Sequence, residues 1–385
     1  MHKLKLFRLT TVPLSFETLL KGQLRFMAQY YDVTMICSDK KRLEKAGIAE
    51  GVKTYAVGLT RRITPVKDLM ALWKLYRYFR KEKPFIVHAN TPKASLLSML
   101  AAKFAKIPNR LYTVTGLRFE GESGIKRKVL IEMEKCACWA ATHVIPEGEG
   151  TKNTLLKNEI TNKPLQVIAN GSINGIDTAY FSAAPYSYEE KEELKNEIHI
   201  PFNAFVFCFV GRLVKDKGIN ELVQAFLEIN KTYWYARLLL VGPFEQDLDP
   251  LLPETKKEIE NNKNILYVGF QADVRPYMSV SNVFVFPSYR EGFPNVVMQA
   301  GAMELPCIVT DINGCNEIIE EGVNGLIIPP KNKEQLKIKM QLLLDNSSLL
   351  NQLKQNARKV ITSRYEQQLA WEALLEEYKQ LEKQI

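Results

Sequence analysis

The stretch Arg290–Pro306, REGFPNVVMQAGAMELP, decides how the second half of the chain is expected to fold. The run immediately before it, NVFVFPS at residues 282–288, is apolar, β-branched and aromatic, which is typical of a strand buried on both faces. Prolines and a glycine then interrupt the chain, and from Asn295 the apolar residues recur at helical spacing. The stretch is therefore predicted to form a strand, a tight loop and a helix, with the carboxylate of Glu291 in the loop.

The start of this predicted helix has the properties of an anion-binding site. The first backbone N–H groups of a helix have no partner within the helix, and the helix dipole favours negative charge at that end. Gly292 also allows a ligand to approach the backbone closely. An ordinary strand–helix turn of an α/β protein is the alternative for this stretch taken alone.

The bulk composition indicates a globular protein of two domains. A chain of 385 residues with 46% apolar and 25% charged residues can bury two ordinary cores and is not typical of a disordered protein. No apolar run reaches the length of a membrane span, and the N-terminus lacks a signal-peptide core. The six cysteines form no CxxC pair, so we expect a reduced, cytoplasmic protein without structural disulfides or zinc.

Positive charge is concentrated in the first half of the chain. Residues 1–180 contain 30 Lys and Arg against 15 Asp and Glu, a formal charge of +15, whereas the remainder has 22 against 28, or −6. This asymmetry points to an anionic surface or partner, with solvated helix faces as the alternative.

Residues 64–84 carry part of the charge and are predicted to form a helix with two distinct faces. Its apolar stripe, expected to face the sheet, is Val66, Leu69, Trp73 and Tyr76, and its basic face is Lys67, Lys74, Arg77 and Lys81.

Strand-like and helix-like runs alternate along almost the whole chain, which is the pattern of parallel sheets covered by helices. The expected fold class is α/β, with two Rossmann-like domains, at residues 1–180 and 181–364, facing a central cleft. Such domains bind ligands at the carboxyl ends of their strands. The predicted strands are 3–10, 32–38, 52–57, 84–89, 110–115, 143–146 and 165–169 in the first half, and 205–211, 237–242, 265–269, 282–287, 307–311 and 325–328 in the second.

The strand FVFCFVG at 205–211 leads into a loop that carries two cations. Arg212 and Lys217 follow the carboxyl end of this strand, and glycines on either side relax the loop. A diphosphate suits such a pair, since Arg offers a planar fork and Lys a point charge. Two surface cations beside a helix start are the alternative. A D-x-D spacing, Asp247–Asp249, lies in a polar loop and is interpreted as structural rather than metal-binding.

Several motifs that occur together and in order resemble the retaining glycosyltransferases of family 4. The resemblance covers nearly the whole chain and is to bacterial enzymes that build capsule, O-antigen and other lipid-linked glycans. It implies the GT-B fold, with a helix at about 365–385 that packs back on the first domain. The motifs are TTVPLSFETLLKGQL (10–24), HANTPKAS (88–95), TGLRFEG (115–121) with KRK after it, NGSINGIDTAYF (170–181), GRLVKDKG (211–218), VGP (241–243), YVGF (267–270) and EGFPNVVMQA (291–300).

The resemblance assigns the donor site to the second half. It implies that Arg212 and Lys217 bind the donor diphosphate and that Glu291, the first glutamate of the family's E-x7-E motif, approaches the transferred sugar. The second glutamate of the motif, which holds the ribose, is replaced by Gln299, whose amide can still accept from a hydroxyl but carries no charge. The remaining donor-binding residues implied by the resemblance are Gly211, Gly269, Phe270, Gly292, Phe293, Pro294, Asn295 and Val296.

The first half departs further from the family. Thr115 stands where many relatives carry His or Arg, and Asn90 takes a place often held by a second His. Neither residue is a cation, and Arg118 could supply the charge instead. His88 is either a core histidine or a residue of the cleft. The acceptor or cleft candidates are His88, Thr115, Gly116 and Arg118.

These observations lead to the expectation of a retaining glycosyltransferase. Its donor would be a nucleotide diphosphate sugar, with UDP as the default, and its acceptor a glycan or an undecaprenyl-diphosphate-linked saccharide. No metal or other cofactor is expected, because cationic side chains would stabilise the departing diphosphate. The basic N-terminal domain would rest on the anionic inner face of the cell membrane, and nucleic acid is not an expected partner. A catalytically silent nucleotide-sugar-binding subunit and a nucleotide-sugar epimerase of the GT-B fold are the alternatives.

Overall fold

The computed structural model describes residues 3–60, 64–245 and 249–383, and the chain divides into two compact units. The N-terminal unit consists of Met1–Gly175 together with Gln367–Ile385, and the C-terminal unit is Ile176–Glu366. The sequence analysis placed the corresponding boundaries after residues 180 and 364. Each unit has its own sheet and its own core, so each is described separately.

The N-terminal unit is built on six parallel strands, which are β1 (Lys5–Leu9), β2 (Asp32–Cys37), β3 (Lys53–Ala56), β4 (Ile86–Ala89), β5 (Asn109–Val114) and β6 (His143–Pro146). They lie in the order β3-β2-β1-β4-β5-β6, which is the order of a doubly wound Rossmann sheet. The central strands are buried on both faces, as their continuous apolar runs predict.

Seven helices follow these strands in the described part of the unit before its junction with the second unit. They are α1 (Pro13–Thr18), α2 (Gln23–Met27), α3 (Lys40–Glu50), α4 (Pro65–Glu82), α5 (Pro92–Phe104), α6 (Gly124–Ala140) and α7 (Glu149–Lys157). Proline occupies the first turn of α1, α4 and α5, where its fixed φ suits the helix and its missing N–H is not needed. Helices α4, α5 and α6 share one core on one face of the sheet, and α1, α2 and α3 share a second core on the other.

The C-terminal unit repeats the architecture with β7 (Phe205–Val210), β8 (Ala236–Val241), β9 (Ile265–Tyr267), β10 (Val283–Phe286), β11 (Cys307–Thr310) and β12 (Gly325–Ile328). The strand order is β12-β11-β10-β7-β8-β9, so β7 and β10 are the central neighbours. Its helices are α8 (Tyr188–Glu197), α9 (Ile219–Asn230), α10 (Pro253–Asn261), α11 (Arg275–Ser279), α12 (Asn295–Ala302), α13 (Cys315–Ile318), α14 (Lys333–Asp345) and α15 (Ser347–Tyr365). The two parallel sheets confirm the predicted α/β fold class.

The last helix, α16 (Gln367–Glu382), belongs to the N-terminal unit rather than to the unit that precedes it. Leu374, Leu375, Tyr378 and Leu381 are buried in the core that α1, α2 and α3 also cover. The indole of Trp371 fills the space beside Gly22 and donates to Asn174 at 2.6 Å. This helix therefore completes one face of the N-terminal sheet.

Two predictions about the N-terminal unit are wrong. Residues 165–169 form no strand, since only Leu165 pairs with Val144, and Ile168 packs instead against the core under α16. The face of α4 was also assigned incorrectly, because Ala71, Leu75 and Phe79 point to the core. Val66, Leu69 and Trp73, expected to face the sheet, are exposed instead, whereas Tyr76 of the same predicted stripe packs against the core. Among the residues that the structure describes, no helix is both long and apolar enough to span a bilayer.

Candidate active site

Two loops of the C-terminal unit meet at the carboxyl edge of its sheet. They follow β7 and β10, which are neighbours where the strand order reverses, the usual position of ligands in doubly wound sheets. The first loop contains a short 3-10 turn, Lys215–Lys217, and the second runs to the start of α12. Gly218 ends the first loop with φ of 71°, and a Cβ on it would lie 2.1 Å from the carbonyl oxygen of Pro287. Only glycine therefore allows the two loops to pack this closely.

Lys217 and Glu291 form an ion pair across these two loops. Their side chains are only 17% and 16% exposed, so the pair is largely shielded from water. The hydroxyl of Ser288 donates to the same carboxylate oxygen at 2.8 Å, and the Lys217 ammonium lies 5.2 Å from the centre of the Phe286 ring. Two of the three predicted catalytic residues are therefore in direct contact, held at the ends of neighbouring strands.

The residues beside this pair are tied together in the same way. The guanidinium of Arg290 donates to the Asp216 carboxylate at 2.8 and 2.9 Å, and the Tyr289 N–H donates to the Asp216 carbonyl at 2.8 Å. The Asp216 N–H donates to the carboxylate of Asp249 at 2.6 Å. Asp249 thus has a structural role in this loop, whereas Asp247 lies outside the described residues.

Arg212, the third predicted catalytic residue, lies in a more open part of the first loop. Its guanidinium pairs with Glu245, which follows β8, and 56% of its side chain is exposed. The backbone there is held firmly, since the Leu213 N–H donates to the Pro243 carbonyl at 2.9 Å. Arg212 is thus a cation on a fixed backbone with a solvent-facing side chain.

The start of α12 provides free donors beside Glu291. Among the residues that the structure describes, the backbone N–H groups of Gly292, Phe293, Asn295 and Val296 have no acceptor. The side-chain oxygen of Asn295 is buried and likewise has no partner among them. Phe293 and Pro294 are buried, and the Phe293 ring packs against Tyr365 at 5.6 Å. The donors therefore lie on a turn anchored by buried side chains, at the position for which the sequence predicts an anion site.

The remaining predicted donor residues lie around this centre. Gln299 is half-buried on α12, and its side chain has no hydrogen bond to the described residues. Gly269 follows β9, where its carbonyl accepts from the Gly242 N–H at 2.7 Å, and Phe270 beside it is 74% exposed. Gly211 ends β7, and its N–H donates to the Val241 carbonyl at 2.9 Å. All of them are at the carboxyl edge or on the helix that leaves it.

His88 lies in the core of the N-terminal unit, not on an open surface. It is 1% exposed, its Nδ1 contacts the hydroxyl of Tyr378 at 2.6 Å, and its Nε2 contacts the hydroxyl of Thr113 at 2.7 Å. The buried guanidinium of Arg8 lies against it and also donates to Asn90 at 2.9 Å. Burial and this neighbouring cation lower the pKa of His88 well below its usual value, so the ring is neutral.

The other acceptor candidates lie at the carboxyl edge of the N-terminal sheet. The Thr115 hydroxyl donates to the Asn90 carbonyl at 2.9 Å, and Gly116 next to it has φ of 125°. Arg118 is exposed on a 3-10 turn and lines a small pocket of about 40 Å³. The other lining residues of this pocket are Pro92, Lys93, Leu96, Phe119, Leu130, Met133 and Glu134. The pocket combines apolar walls with cationic groups.

Several residues of these sites were not found by sequence reasoning. Ser288 and Glu245, which contact the predicted catalytic residues, are common polar residues in loops without a distinguishing pattern. Arg8 gave a detectable signal, because it is a charged residue flanked by apolar residues within the strand KLFRL. Its partner Tyr378 lies 370 residues away in the chain, so no local pattern connects the two.

The chain matches two family models. The model described as "Glycosyl transferases group 1" matches residues 190–360, which include both loops of the candidate site. The model described as "Glycosyl transferase 4-like" matches residues 12–147 of the N-terminal unit. Together they cover both units.

Relatives of known description extend along nearly the full chain. The capsular polysaccharide biosynthesis glycosyltransferase CapM of Staphylococcus aureus is 34% identical over 377 residues, which are 97% of this chain and 96% of that protein. An Escherichia coli protein described as UDP-Gal:α-D-GlcNAc-diphosphoundecaprenol α-1,3-galactosyltransferase is 27% identical over 339 residues, 87% of this chain and 85% of that protein.

Solved structures share the fold at low sequence identity. Anabaena HepE in complex with UDP and glucose superposes with a TM-score of 0.80 at 18% identity, over 98% of this chain and 100% of that chain. Sucrose-phosphate synthase of Thermosynechococcus elongatus gives a TM-score of 0.78 at 19% identity, with both chains fully covered. The chain contains two parallel six-stranded sheets, matches two glycosyltransferase family models, and is 34% identical to CapM over nearly the whole length of both proteins. It therefore belongs to glycosyltransferase family 4, has the GT-B fold and is a glycosyltransferase.

Proposed function

We propose that this glycosyltransferase moves a sugar from a UDP-sugar to a saccharide carried on undecaprenyl diphosphate, with retention of anomeric configuration, in bacterial surface polysaccharide synthesis. The observation that carries the proposal is the shielded Lys217–Glu291 pair beside the unpaired N–H groups of α12. This arrangement would put a cation and fixed dipoles beside a leaving diphosphate as it gains charge. The E. coli relative is described as acting on a diphosphoundecaprenol-linked sugar, which supports the choice of acceptor class.

The donor end of the reaction can be assigned to particular groups. Lys217 and Arg212 would contact the diphosphate, and the N–H groups of Gly292 to Val296 would hold phosphate and sugar oxygens. Glu291 would accept a hydrogen bond from a sugar hydroxyl while Lys217 compensates its charge. Because Lys217 compensates its negative charge, the Glu291 carboxylate would position the sugar rather than act as a nucleophile.

The transfer step itself would occur on one face of the sugar. The bond between the anomeric carbon and the diphosphate oxygen breaks, and a bond from the acceptor oxygen to that carbon forms on the same face. The acceptor hydroxyl gives its proton to the departing phosphate oxygen, and UDP leaves. The cations and the α12 dipole stabilise the charge on UDP throughout.

UDP is the proposed nucleotide, and both the similar proteins and the residues of the candidate site support this choice. The E. coli relative is described as using UDP-Gal, and the Anabaena protein of the same fold was solved with UDP. Gln299 would accept from a ribose hydroxyl, and the exposed Phe270 beside Gly269 would lie near the base.

The acceptor would reach the protein from a membrane surface. Residues 1–180 carry a formal charge of +15, and exposed basic residues occur on α4 and near the start of α6. Each Lys or Arg near an anionic surface contributes about 1 kcal/mol of attraction within a Debye length of about 8–10 Å. We therefore propose peripheral attachment of the N-terminal unit to the anionic inner face of the cell membrane.

The proposal is tested in two stages. Thermal shift with a panel of nucleotide sugars identifies the donor, since a ligand at about 100 times its Kd adds about 2.7 kcal/mol of stability. Transfer to acceptors in a bacterial lipid extract is then measured as release of UDP. The anomeric configuration of the product is determined by NMR. Acceptor-dependent release of UDP with an unchanged anomer is expected. Stabilisation by nucleotide sugars without any transfer, or a product of inverted configuration, would contradict it.

A further inference from the structure

The small pocket that Arg118 lines lies between helices α5 and α6 of the N-terminal unit, and we call it the α5–α6 pocket. Lys93, another of its lining residues, is in the first turn of α5 directly after β4, so the pocket lies toward the carboxyl edge of the sheet. The apolar part of the wall is formed by Leu96, Phe119, Leu130 and Met133. A volume of about 40 Å³ leaves room for a group of a few non-hydrogen atoms.

Glu134 places a buried carboxylate in the wall of this pocket. It lies one helical turn after Leu130, on the same face of α6, and is only 7% exposed. One of its oxygens accepts a hydrogen bond from the hydroxyl of Tyr112, a fully buried residue of β5. The second oxygen has no hydrogen bond to the residues that the structure describes. Because a buried carboxylate oxygen without a donor is unfavourable, a ligand that brings a donor to this point would be stabilised.

Arg118 offers an unused donor to the same pocket. Its side chain is exposed and makes no hydrogen bond or ion pair within the described part of the chain. Lys93 is already committed, since its ammonium pairs with Asp68 at 2.6 Å and donates to Thr60 at 2.8 Å. The α5–α6 pocket therefore combines a free acceptor, a free donor and apolar walls in a small volume.

An acetamido group matches these three features together. Its N–H can donate to the second oxygen of Glu134, its carbonyl can accept from Arg118, and its methyl group can fill the apolar part of the pocket. A carboxylate in the same place would be repelled by Glu134, and an ammonium group would meet the charges of Arg118 and Lys93. A hydroxyl group would leave the apolar walls in contact with water.

We propose that the α5–α6 pocket binds the acetamido group of the acceptor sugar, so that the enzyme selects an N-acetylated amino sugar over a plain hexose. The inference rests on the proposed function and narrows its acceptor to one chemical class. Glu134 and Arg118 would be specificity-determining residues that contact the acceptor without taking part in bond making. Tyr112 would be a positioning residue, because it holds the carboxylate through the other oxygen.

Matched acceptors test the selection directly. Each pair consists of two short-chain prenyl diphosphates whose sugars differ only in an acetamido or a hydroxyl group, N-acetylglucosamine with glucose and N-acetylgalactosamine with galactose. In at least one pair the wild type should bind the acetamido acceptor about tenfold or more tightly, since the hydroxyl analogue leaves the polar groups of the pocket without partners. Titration calorimetry without a donor measures both Kd values. Equal Kd values within both pairs would overturn the inference.

Two variants assign the selection to this pocket. Glu134→Leu removes the acceptor oxygen and should raise the Kd of the acetamido acceptor about tenfold, to near that of its hydroxyl analogue. Leu130→Phe narrows the pocket from its apolar wall and should weaken the acetamido acceptor to a similar extent. Neither change should alter the Kd of the hydroxyl analogue. Glu132→Leu is the matched control, because Glu132 is an exposed carboxylate on the same helix and should keep the wild-type selection.

The pattern across acceptors separates recognition from a structural role. Equal weakening of both acceptors in Glu134→Leu and Leu130→Phe would show that these residues only maintain the fold, and would refute the acetamido site. Thermal stabilisation by UDP should be the same in wild type and all three variants, because the candidate donor loops belong to the C-terminal unit.

The inference and the proposed function can fail separately. Absence of transfer from any UDP-sugar to either acceptor would count against the proposed function, while a Kd difference measured without a donor would still support the acetamido site. Transfer to both acceptors of each pair with equal KM would support the proposed function and would refute the acetamido site.

Discussion

Arg8 is a guanidinium without exposure to water, and its hydrogen-bond partners in the described structure are neutral. It donates to Gln23 at 3.0 Å, to Asn90 at 2.9 Å and to the hydroxyl of Tyr378 at 2.7 Å. Burial lowers its pKa, and a cation held this way depends on every one of its partners. His88 belongs to this network through both ring nitrogens. The buried polar side chains Arg8 and His88 of the N-terminal unit therefore bond to partners inside its core.

The donor cations give the first prediction. Lys217→Ala and Arg212→Ala should each lower kcat about 10²–10³-fold, because each removes a fixed charge from the leaving diphosphate. Lys215→Ala is the matched control, since Lys215 is an exposed cation in the same turn as Lys217. EDTA should leave the wild-type rate nearly unchanged. Loss of activity in EDTA that manganese restores would contradict the metal-free assignment and direct attention to Asp247 and Asp249.

Gln299 gives the second prediction. Its side chain is half-buried on α12 and has no hydrogen bond to the described residues, so it is available to a ligand. Gln299→Glu should keep the fold and retain or tighten UDP binding, because a charged acceptor makes the stronger hydrogen bond to a ribose hydroxyl. Titration calorimetry measures the Kd for UDP. Identical Kd values for the Glu, Ala and Leu variants would show that residue 299 does not contact the nucleotide.

Glu134 gives a prediction about pH. Burial raises its pKa to about 7 from 4.5, so its contribution to folding is complete below about pH 4.5 and is lost as the pH rises to about 7. His88 works in the opposite direction, since its lowered pKa costs stability as the pH falls below 6.5. Relative to wild type, Glu134→Gln should therefore gain about 1 kcal/mol per pH unit across this range. Denaturant unfolding at several pH values checks it, and parallel pH profiles of the two proteins would refute it.

The strands formed by continuous apolar runs were predicted correctly from the sequence. The buried face of α4, a helix with two apolar stripes, was not. The segments VFVF and CIVT consist almost entirely of apolar residues, which is typical of a strand buried on both faces. The sequence alone therefore predicts β10 and β11. Helix α4 carries two apolar stripes, and periodicity alone does not say which one is buried. The stripe that is buried consists of Ala71, Leu75 and Phe79, and the Phe79 ring packs against Phe7. The loops of the candidate site were located because glycine, proline and charge coincide there.

Gly218 gives a prediction at this scale, because it joins two elements. Gly218→Ala should destabilise the C-terminal unit and misplace Lys217 relative to Glu291, since a Cβ would overlap the Pro287 carbonyl. Gly322→Ala is the matched control, because Gly322 has φ of 75° and nothing within 4 Å of its Cβ position. Both variants carry the left-handed cost of about 1–2 kcal/mol, and overlap should add about 1–3 kcal/mol to the first alone. Equal unfolding free energies and equal kcat in both variants would show that the loops tolerate separation.

Across the whole molecule, charge is divided between the two halves of the sequence in a way that no single helix explains. The basic first half and the acidic second half differ by 21 formal charges, from +15 to −6. Salt bridges on the exposed faces neutralise part of this charge locally, for example Lys5 with Glu82 and Lys53 with Asp32. The excess positive charge that remains lies in the half of the chain for which contact with an anionic membrane is proposed.

Charge reversal tests that property. Replacing Lys67, Lys74, Arg77 and Lys81 together by Glu should abolish flotation with anionic vesicles at low salt, because it removes four attractive contacts of about 1 kcal/mol each and adds four repulsive ones. The same variant should behave like wild type toward zwitterionic vesicles. Unchanged binding to anionic vesicles would leave the charge asymmetry without a membrane role.

The position of α16 has a consequence for how the protein is made. The N-terminal unit is synthesised first, yet the helix that covers one face of its sheet and supplies the Tyr378 hydroxyl to Arg8 comes after the entire C-terminal unit. Until residues 367–382 leave the ribosome, that face is covered only by α1, α2 and α3, and the buried guanidinium lacks one of its partners. The C-terminal unit, being a single uninterrupted segment, can complete its fold earlier. The nascent chain is therefore expected to expose the apolar surface that α16 covers until residues 367–382 have been made, and a chaperone that holds growing chains would bind that surface.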